Sequence, residues 1–342
     1  VDSVLGTKVK KSIDKLSPVT VDSGDAIEDM HIDSFLAFDF AKNNSSAKYI
    51  HKNMNGALIN KIGAFGRPCD LRALVELHKR RQVNLDNITF IGIEEHGRLN
   101  PKLMRKFWKK NDLDASKLEA IEMKEDKVIM TIGGKQHEFD FGPTIGIGRN
   151  CANCSSKTVV NADIKASFIT DEIMLSPMTP KGLDVMKQAT DLLNFSETST
   201  DPSARLHEIE SQGRENQLKE INEFRAKSAA EKMKALGKCT MCGLCIRSCP
   251  VCFCVDCIIQ KKRKEKKIDN FSYQLSRISH IADTCVQCGR CDEACPVNLP
   301  LNIYFNDIAM KLEEKYDYVA GRSVDDTPPR SDINSLKMRF KK

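Results

Sequence analysis

"CTMCGLCIRSCP" (Cys239–Pro250) and "CVQCGRCDEACP" (Cys285–Pro296) share one spacing, Cys-x-x-Cys-x-x-Cys-x-x-x-Cys-Pro. Three thiols separated by two residues let the chain curl around a multi-iron core, and the fourth, followed by Pro, points away from it. The chain holds 14 Cys in 342 residues, and 11 of them fall between Cys239 and Cys295. A disulfide-stapled secreted protein would be shorter and would spread its cysteines along its length. Clustering in Cys-x-x-Cys repeats instead means metal and a reducing compartment, read here as the cytoplasm. Zinc sites also use Cys-x-x-Cys pairs, but zinc ribbons are not spaced as two complete three-plus-one runs. Neither run contains a His.

The two runs resemble the ligand pattern of bacterial-type two-cluster ferredoxins, in which the fourth Cys of each run serves the other cluster. That implies one [4Fe–4S] centre on Cys239, Cys242, Cys245 and Cys295, and a second on Cys285, Cys288, Cys291 and Cys249. Cross-ligation places two centres close together, as an electron wire requires. Cys252, Cys254 and Cys257 are left over. They could be ligands of a further cluster, redox-active thiols, or buried small hydrophobes.

Hydrophobic residues make up 41% and charged residues 29% of the chain, a soluble folded composition. Its length gives two domains or three, at about 100–200 residues each. No run of 18 apolar residues suggests a spanning helix, and the start, at Val1, does not read as a signal peptide. The formal charge is +6, of which two clusters at about 2− each would offset about four charges. The dense basic run, Lys261–Lys267, is too short to indicate nucleic acid. It reads as a solvated loop between the cluster halves, or as a patch that steers an acidic electron-transfer partner.

Ahead of the cysteine-rich module the pattern is α/β. "SVLG" and "SFLAFDFA" read as short strands, and "KIGAFG" (Lys61–Gly66) as a strand entering a turn at Gly66–Pro68. "CDLRALVELHKRR" follows as an amphipathic helix, and "ITFIGI" (Ile88–Ile93) as a buried parallel strand, completing a β-α-β unit. "NPKLMRKFWKK" reads as a helix, and residues 117–141 as hairpin material turning at Glu125–Asp126 and Gly133–Gly134. The expected organisation is an α/β domain over 1–200, a helical linker over 201–237, the two-cluster domain over 238–300, and a helix with polar tail over 301–342. The closing helix, Ile303–Tyr316, continues to Tyr318 as an amphipathic stretch able to dock onto a partner subunit or back onto the module.

"GRPCDLRALVELHKRRQVNLDNITFIGIEEHG", then "GRNCANC", then the double cysteine run, resembles the beta-subunit family of coenzyme F420 hydrogenases and formate dehydrogenases. The likeness is to the branch with a carboxy-terminal two-cluster module, and it covers residues 60–300. It implies a flavoprotein core that binds FAD and passes electrons between F420 and iron–sulfur centres. It also implies a third cluster, carried onto Cys69, Cys151 and Cys154 of this sequence. The family's Glu-Cys-Gly-Gly is Glu94-Glu95-His96-Gly97 here, so Glu95 stands where a thiolate is expected. Glu95, His96 or a spare cysteine could complete the site, a three-iron centre could form on the three thiols, or the site is degenerate. No Gly-rich segment opens the chain as the family's does. Gly146 and Gly148, in "GPTIGIGRN", and Gly66 and Arg67, in the Gly-Arg-Pro turn, are the candidates for a flavin or its phosphates. The loop containing Gly146 and Gly148 reads more simply as presenting Cys151, Arg67 as turn chemistry, and His78 as a solvated histidine.

These features point to an iron–sulfur electron-transfer subunit of an anaerobic oxidoreductase complex. It would link a dehydrogenase or hydrogenase, through FAD and F420 if they bind, to a partner such as a heterodisulfide-reductase-like subunit. The other class is a structural or redox-sensing iron–sulfur adaptor. No hydrolytic constellation is visible.

Overall fold

The computed structural model describes residues 1–22, 31–41, 44–124, 127–142, 144–170, 172–190 and 196–330. Strands β1 (Ser3–Val9) and β2 (Leu16–Asp22) form an antiparallel pair, followed by helices α1 (Ile32–Phe38) and α2 (Ser46–Asn53). The stretch expected as a strand, "SFLAFDFA", is thus mostly helix. A short apolar run fits either state, and here Phe35, Leu36 and Ala37 bury themselves from one turn of helix. The β-α-β unit follows as β3 (Ile62–Gly66), α3 (Pro68–His78) and β4 (Ile88–Glu94). Pro68 sits in the first turn of α3, where a missing N–H costs nothing, and Asp70 accepts the Arg67 amide in a capping box. Asn100 caps α4 (Pro101–Lys110).

β5 (Leu118–Met123), β6 (Lys127–Ile132) and β7 (Lys135–Asp140) make a separate antiparallel sheet. Its Gly133–Gly134 turn is as expected, and the turn at Glu125–Asp126 lies outside the described residues. Helix α5 (Arg149–Ala152) precedes the β8 (Ile164–Ser167) and β9 (Met174–Pro177) hairpin and helix α6 (Pro180–Ala189). The main sheet runs β2-β1-β3-β4-β8-β9, with β1, β3, β4 and β8 mutually parallel and an antiparallel strand on each edge. The Gly-Arg-Pro-Cys turn and the Glu-Glu-His-Gly loop therefore leave the carboxyl ends of neighbouring parallel strands, where open α/β sheets form their sites.

The charged stretch after Pro202 is two helices, α7 (Ser203–Ala226) and α8 (Ala229–Gly237), the second begun by a Ser228–Glu231 capping box. In the cysteine-rich module, α9 (Leu244–Arg247), α10 (Ile258–Lys264), α11 (Asn270–Ile281) and α12 (Arg290–Glu293) precede the closing α13 (Leu301–Tyr316). Its two halves repeat one backbone path: Met241 and Gln287 have φ of 51° and 60°, and Gly243 and Gly289 have φ of 79° and 68°. Two left-handed residues per half produce the curl that turns three thiols inward. The basic run is not simply a loop, because Lys261–Lys264 belong to α10. Helix α13 docks inward: Ile303 and Met310 pack with Ile221 and Phe224 of α7, and Arg225 reaches Asp307 at 2.6 Å. Beyond it Tyr318 donates to buried Glu76 of α3 at 2.9 Å. The polar tail from residue 331 onward lies outside the described residues.

One apolar core runs from Leu5, Ile62 and Phe90 of the sheet to Ile259, Val286 and Leu299 of the module, which is thus packed on the α/β region rather than tethered to it. Charge completes the joint. Asp39, 1% exposed at the end of α1, meets Arg290 of α12 at 2.7 Å, Arg67 at 3.3 Å and Arg98 at 3.6 Å. Burial alone would raise the Asp39 carboxyl, but the three guanidiniums outweigh it and hold the group below the usual carboxylate range.

Candidate metal centre

Cys239, Cys242 and Cys245, from the first curl, and Cys295, from the far end of the second run, line one small cavity. Two amides point at sulfur there: Met241 N–H lies 3.2 Å from Cys239 Sγ, and Leu299 N–H lies 3.3 Å from Cys295 Sγ. From α11, Gln274 donates its side-chain N–H to Cys239 Sγ at 3.0 Å and reaches Cys245 Sγ at 3.9 Å. These donors suit thiolates that carry negative charge onto a cluster.

Cys249 lies on the side of the other curl. Burial pushes the Cys285 thiol up, and Cys249 and Cys288 beside it push it further. Cys288, also beside Cys249, is raised by burial to about 11. Burial raises Cys291 as well, with Cys285 and Cys288 adding to the effect. A hydrogen bond from Cys252 outweighs burial at Cys249 and, helped by Arg277, draws its thiol down to about 6. Thiols this crowded and dry become thiolates together only when cations join them, as ligation by iron would provide.

Arg277 of α11 fits that requirement. It is 1% exposed, its Nη2 donates to Cys245 O at 3.2 Å, and its guanidinium lies 5.1 Å from the Phe305 ring. Its Nε and Nη1 have no hydrogen-bond partner among the described residues. Cys291, Cys245 and Cys249 face it, so the cation stands between both thiol sets. A buried arginine with two unpaired donors is costly unless an anion meets it, and two anionic clusters would supply one. The donor sets therefore fit the groups they are expected to hold.

A third set of thiols lies at the joint. Cys69 occupies the first turn of α3, where the helix N-terminus favours a thiolate. Burial raises it strongly, Asp70 adds to this, and Cys288 and Cys151 are also close enough to act on it. Cys151 in turn acts on Cys154, which burial raises. The loop bearing Glu95 closes against this group, because Gly97 packs on Cys151 and Ile147. The Glu95 carboxylate accepts from Arg67 Nε at 2.9 Å and from the Gly97 amide. His96 holds the buried Lys157 ammonium on its carbonyl at 2.7 Å. Buried Arg67, Arg98 and Arg290 are paired here with Asp39, Asp70, Glu95 and Glu293, and Lys157 is held on the His96 carbonyl, so the three thiols sit in a fixed, charge-balanced network.

Residues 235–299 match the model of the 4Fe-4S dicluster domain, and residues 59–192 match that of the coenzyme F420 hydrogenase/dehydrogenase beta subunit, C terminus. The F420-dependent formate dehydrogenase subunit beta of Methanocaldococcus jannaschii is 28% identical over 294 residues, 79% of this chain and 75% of that protein. The F420-dependent formate dehydrogenase 1 subunit beta of Methanococcus maripaludis is 31% identical over 296 residues, 79% of this chain and 74% of that protein. This chain belongs to the coenzyme F420 hydrogenase/dehydrogenase beta-subunit family. It joins an α/β region to a domain for iron–sulfur clusters. Among the described residues no helix is long and apolar enough to cross a membrane.

In this beta-subunit family member the residues singled out for a flavin sit in closed surroundings. A Cβ on Gly66 would meet Ser46 and Asp70 at 3.0–3.1 Å. Arg67 is 3% exposed and spends its guanidinium on Glu95, Asp39 and the Phe35 and Leu36 carbonyls. Gly146 O accepts from Asn100 N–H, and Gly148 donates to Arg98 O while lying near Glu293. These glycines therefore shape the loop that brings Cys151 to the joint. Of the spare cysteines, Cys252 contacts Cys249, Cys254 is exposed, and Cys257 precedes α10 half-buried. His78 is not simply solvated, since its Nδ1 lies 3.0 Å from Val83 O. Gln274 and Arg277 were not found from the sequence. Their signal was a pair of polar residues spaced i, i+3 on the buried face of α11, beside Tyr273 and Ile278.

Proposed function

We propose that the chain is the electron-relay beta subunit of an F420-linked dehydrogenase complex. In this reading Cys239, Cys242, Cys245 and Cys295 hold one cluster, and Cys285, Cys288, Cys291 and Cys249 hold the second. A third iron–sulfur group sits on Cys69, Cys151 and Cys154, with Glu95 closing the site. Bound iron–sulfur groups would supply one-electron steps, and FAD held in the 1–200 region away from Gly66, Arg67, Gly146 and Gly148 would join two such steps to one hydride exchanged reversibly with F420.

One observation supports the reading: Cys288 is close enough to act on Cys69, and buried Arg277 faces Cys245 of the first set together with Cys291 and Cys249 of the second, so the third set neighbours the second and the second neighbours the first. The chain's own residues keep that line dry and fixed. Arg290 bonds Asp39 at the joint, Arg277 stands between the two curls, and the shared apolar core excludes water. Two relatives are named as beta subunits of F420-dependent formate dehydrogenases, which supports formate oxidation as the reaction served and other subunits as partners. A heterodisulfide-reductase-like subunit would be a further member of the complex.

The test is anaerobic mixing of the reconstituted full chain with reduced F420. Bleaching of flavin and cluster absorbance is expected. Bleaching by dithionite without any response to reduced F420 would remove the F420 step and leave a pure relay.

A further inference from the structure

The chain's formal excess of positive charge is concentrated in one place. Residues 238–267 hold eight Lys and Arg against two Asp and Glu, while the remainder of the chain holds 45 of each. The whole formal +6 thus belongs to a 30-residue segment that carries three ligands of the first centre, and it stays positive after the charge of about 2− that centre would bring. Lys238, Arg247, Lys261, Lys262, Lys264 and Lys266 are all exposed. The basic helix α10 is fixed to the first curl: Arg263 donates to Met241 O at 2.8 Å, and Gln260 packs against Gly243. Lys52 holds the neighbouring loop through Phe253 O at 3.2 Å. That loop lifts Val255 to 92% exposure, with Ile258 half exposed beside it. An exposed apolar tip leading directly into a basic helix suits a small, transient protein interface.

We propose that this face is the port at which the first centre exchanges electrons with a small acidic one-electron carrier protein. The proposal rests on the relay reading above and adds to it the end of the wire and the chemistry of its occupant. Within the basic segment the first curl exposes Thr240 and leaves Cys242 half-buried. One electron crosses the port, leaving the centre one charge less negative and the carrier one more; no bond changes and no proton moves. A cationic rim attracts an acidic carrier at long range, and apolar contact at Val255 keeps the encounter short-lived.

The experiment uses the anaerobic, cluster-loaded full chain and, as probe, a small acidic bacterial-type ferredoxin. Binding is measured by calorimetry, and electron transfer by stopped flow, at ionic strengths of about 10 mM and about 1 M, where the screening length falls from about 30 Å to about 3 Å. Transfer to an uncharged quinone is followed in parallel. The expected result is affinity that weakens at least tenfold with salt, and a comparable low-salt loss in the triple variant Lys261→Glu, Lys262→Glu, Lys264→Glu. Quinone reduction stays unchanged in that variant. A control triple, Lys106→Glu, Lys109→Glu, Lys110→Glu on the exposed side of α4, should bind as the parent does. Equal losses in both triples would show a net-charge effect without a port and overturn the proposal, as would salt-independent binding. Failure to reduce even the quinone would remove the relay reading, and the port with it.

Discussion

Replacing Arg277 by Met should lower the reduction potentials of both clusters. The guanidinium is 1% exposed, reaches Cys245 O at 3.2 Å, and faces Cys291 and Cys249 of the other set. A reduced cluster carries one more negative charge than an oxidised one, so a fixed cation favours reduction. A unit charge roughly 6 Å away, at an effective dielectric of about 20, contributes about 3 kcal/mol. At 59 mV per tenfold change in a one-electron equilibrium, that is on the order of 100 mV for each cluster. Methionine keeps an unbranched stem over the Phe305 ring and removes only the charge and its donors. The assay is a redox titration followed by electron paramagnetic resonance. Arg277→Lys, which retains the charge, should stay within about 30 mV of the parent and guards against misreading an assembly defect. If the Met variant loads its clusters and both potentials stay within about 20 mV, or rise, the placement of this cation between two clusters is wrong.

Gln274→Met removes one N–H···S bond of 3.0 Å and should lower only the first cluster's potential, by about 40 mV for about 1 kcal/mol of lost preference for the reduced state. Asp39→Asn takes one shared carboxylate from three buried guanidiniums, leaving Arg67 with Glu95, Arg98 with Glu293 and Arg290 with Asp70, and should cost about 2–3 kcal/mol, measured as a fall in the denaturation midpoint. Because the folded Asp39 carboxyl lies below its ordinary value, its contribution is present above the unfolded carboxylate pKa and is lost as pH falls through the folded one. Thermal stability of the parent should therefore drop on acidification more steeply than that of the Asn variant; parallel curves would contradict this. Cys69→Ser should release about three or four irons while leaving the other two clusters' resonances intact.

The cysteine runs were readable because ligand spacing is a local property, fixed by how a few residues curl. The β-α-β unit was equally plain, since Ile88–Ile93 is an apolar run broken only by Thr89 and α3 is announced by Pro68 and Asp70. What escaped was long-range. Asp39 and Arg290 are ordinary charged residues in sequence, and only the fold joins them across the two regions. The same holds for Arg67, whose place in a Gly-Arg-Pro turn suggested a ligand, while the fold gives it Glu95 and Asp39. The run around Phe35 failed for a different reason: three buried apolar residues in a row carry no period. Glu95 was visible as a departure from the expected thiolate, yet its tie to Arg67 was not.

Iron, acid-labile sulfide and flavin, determined per chain on one anaerobically purified sample, address the relay most directly. About 11–12 irons with matching sulfide and one FAD are expected if the wire runs from the joint at Cys69 to the basic face. About eight irons without flavin would confine it to the two curls, and zinc in place of iron would contradict it altogether.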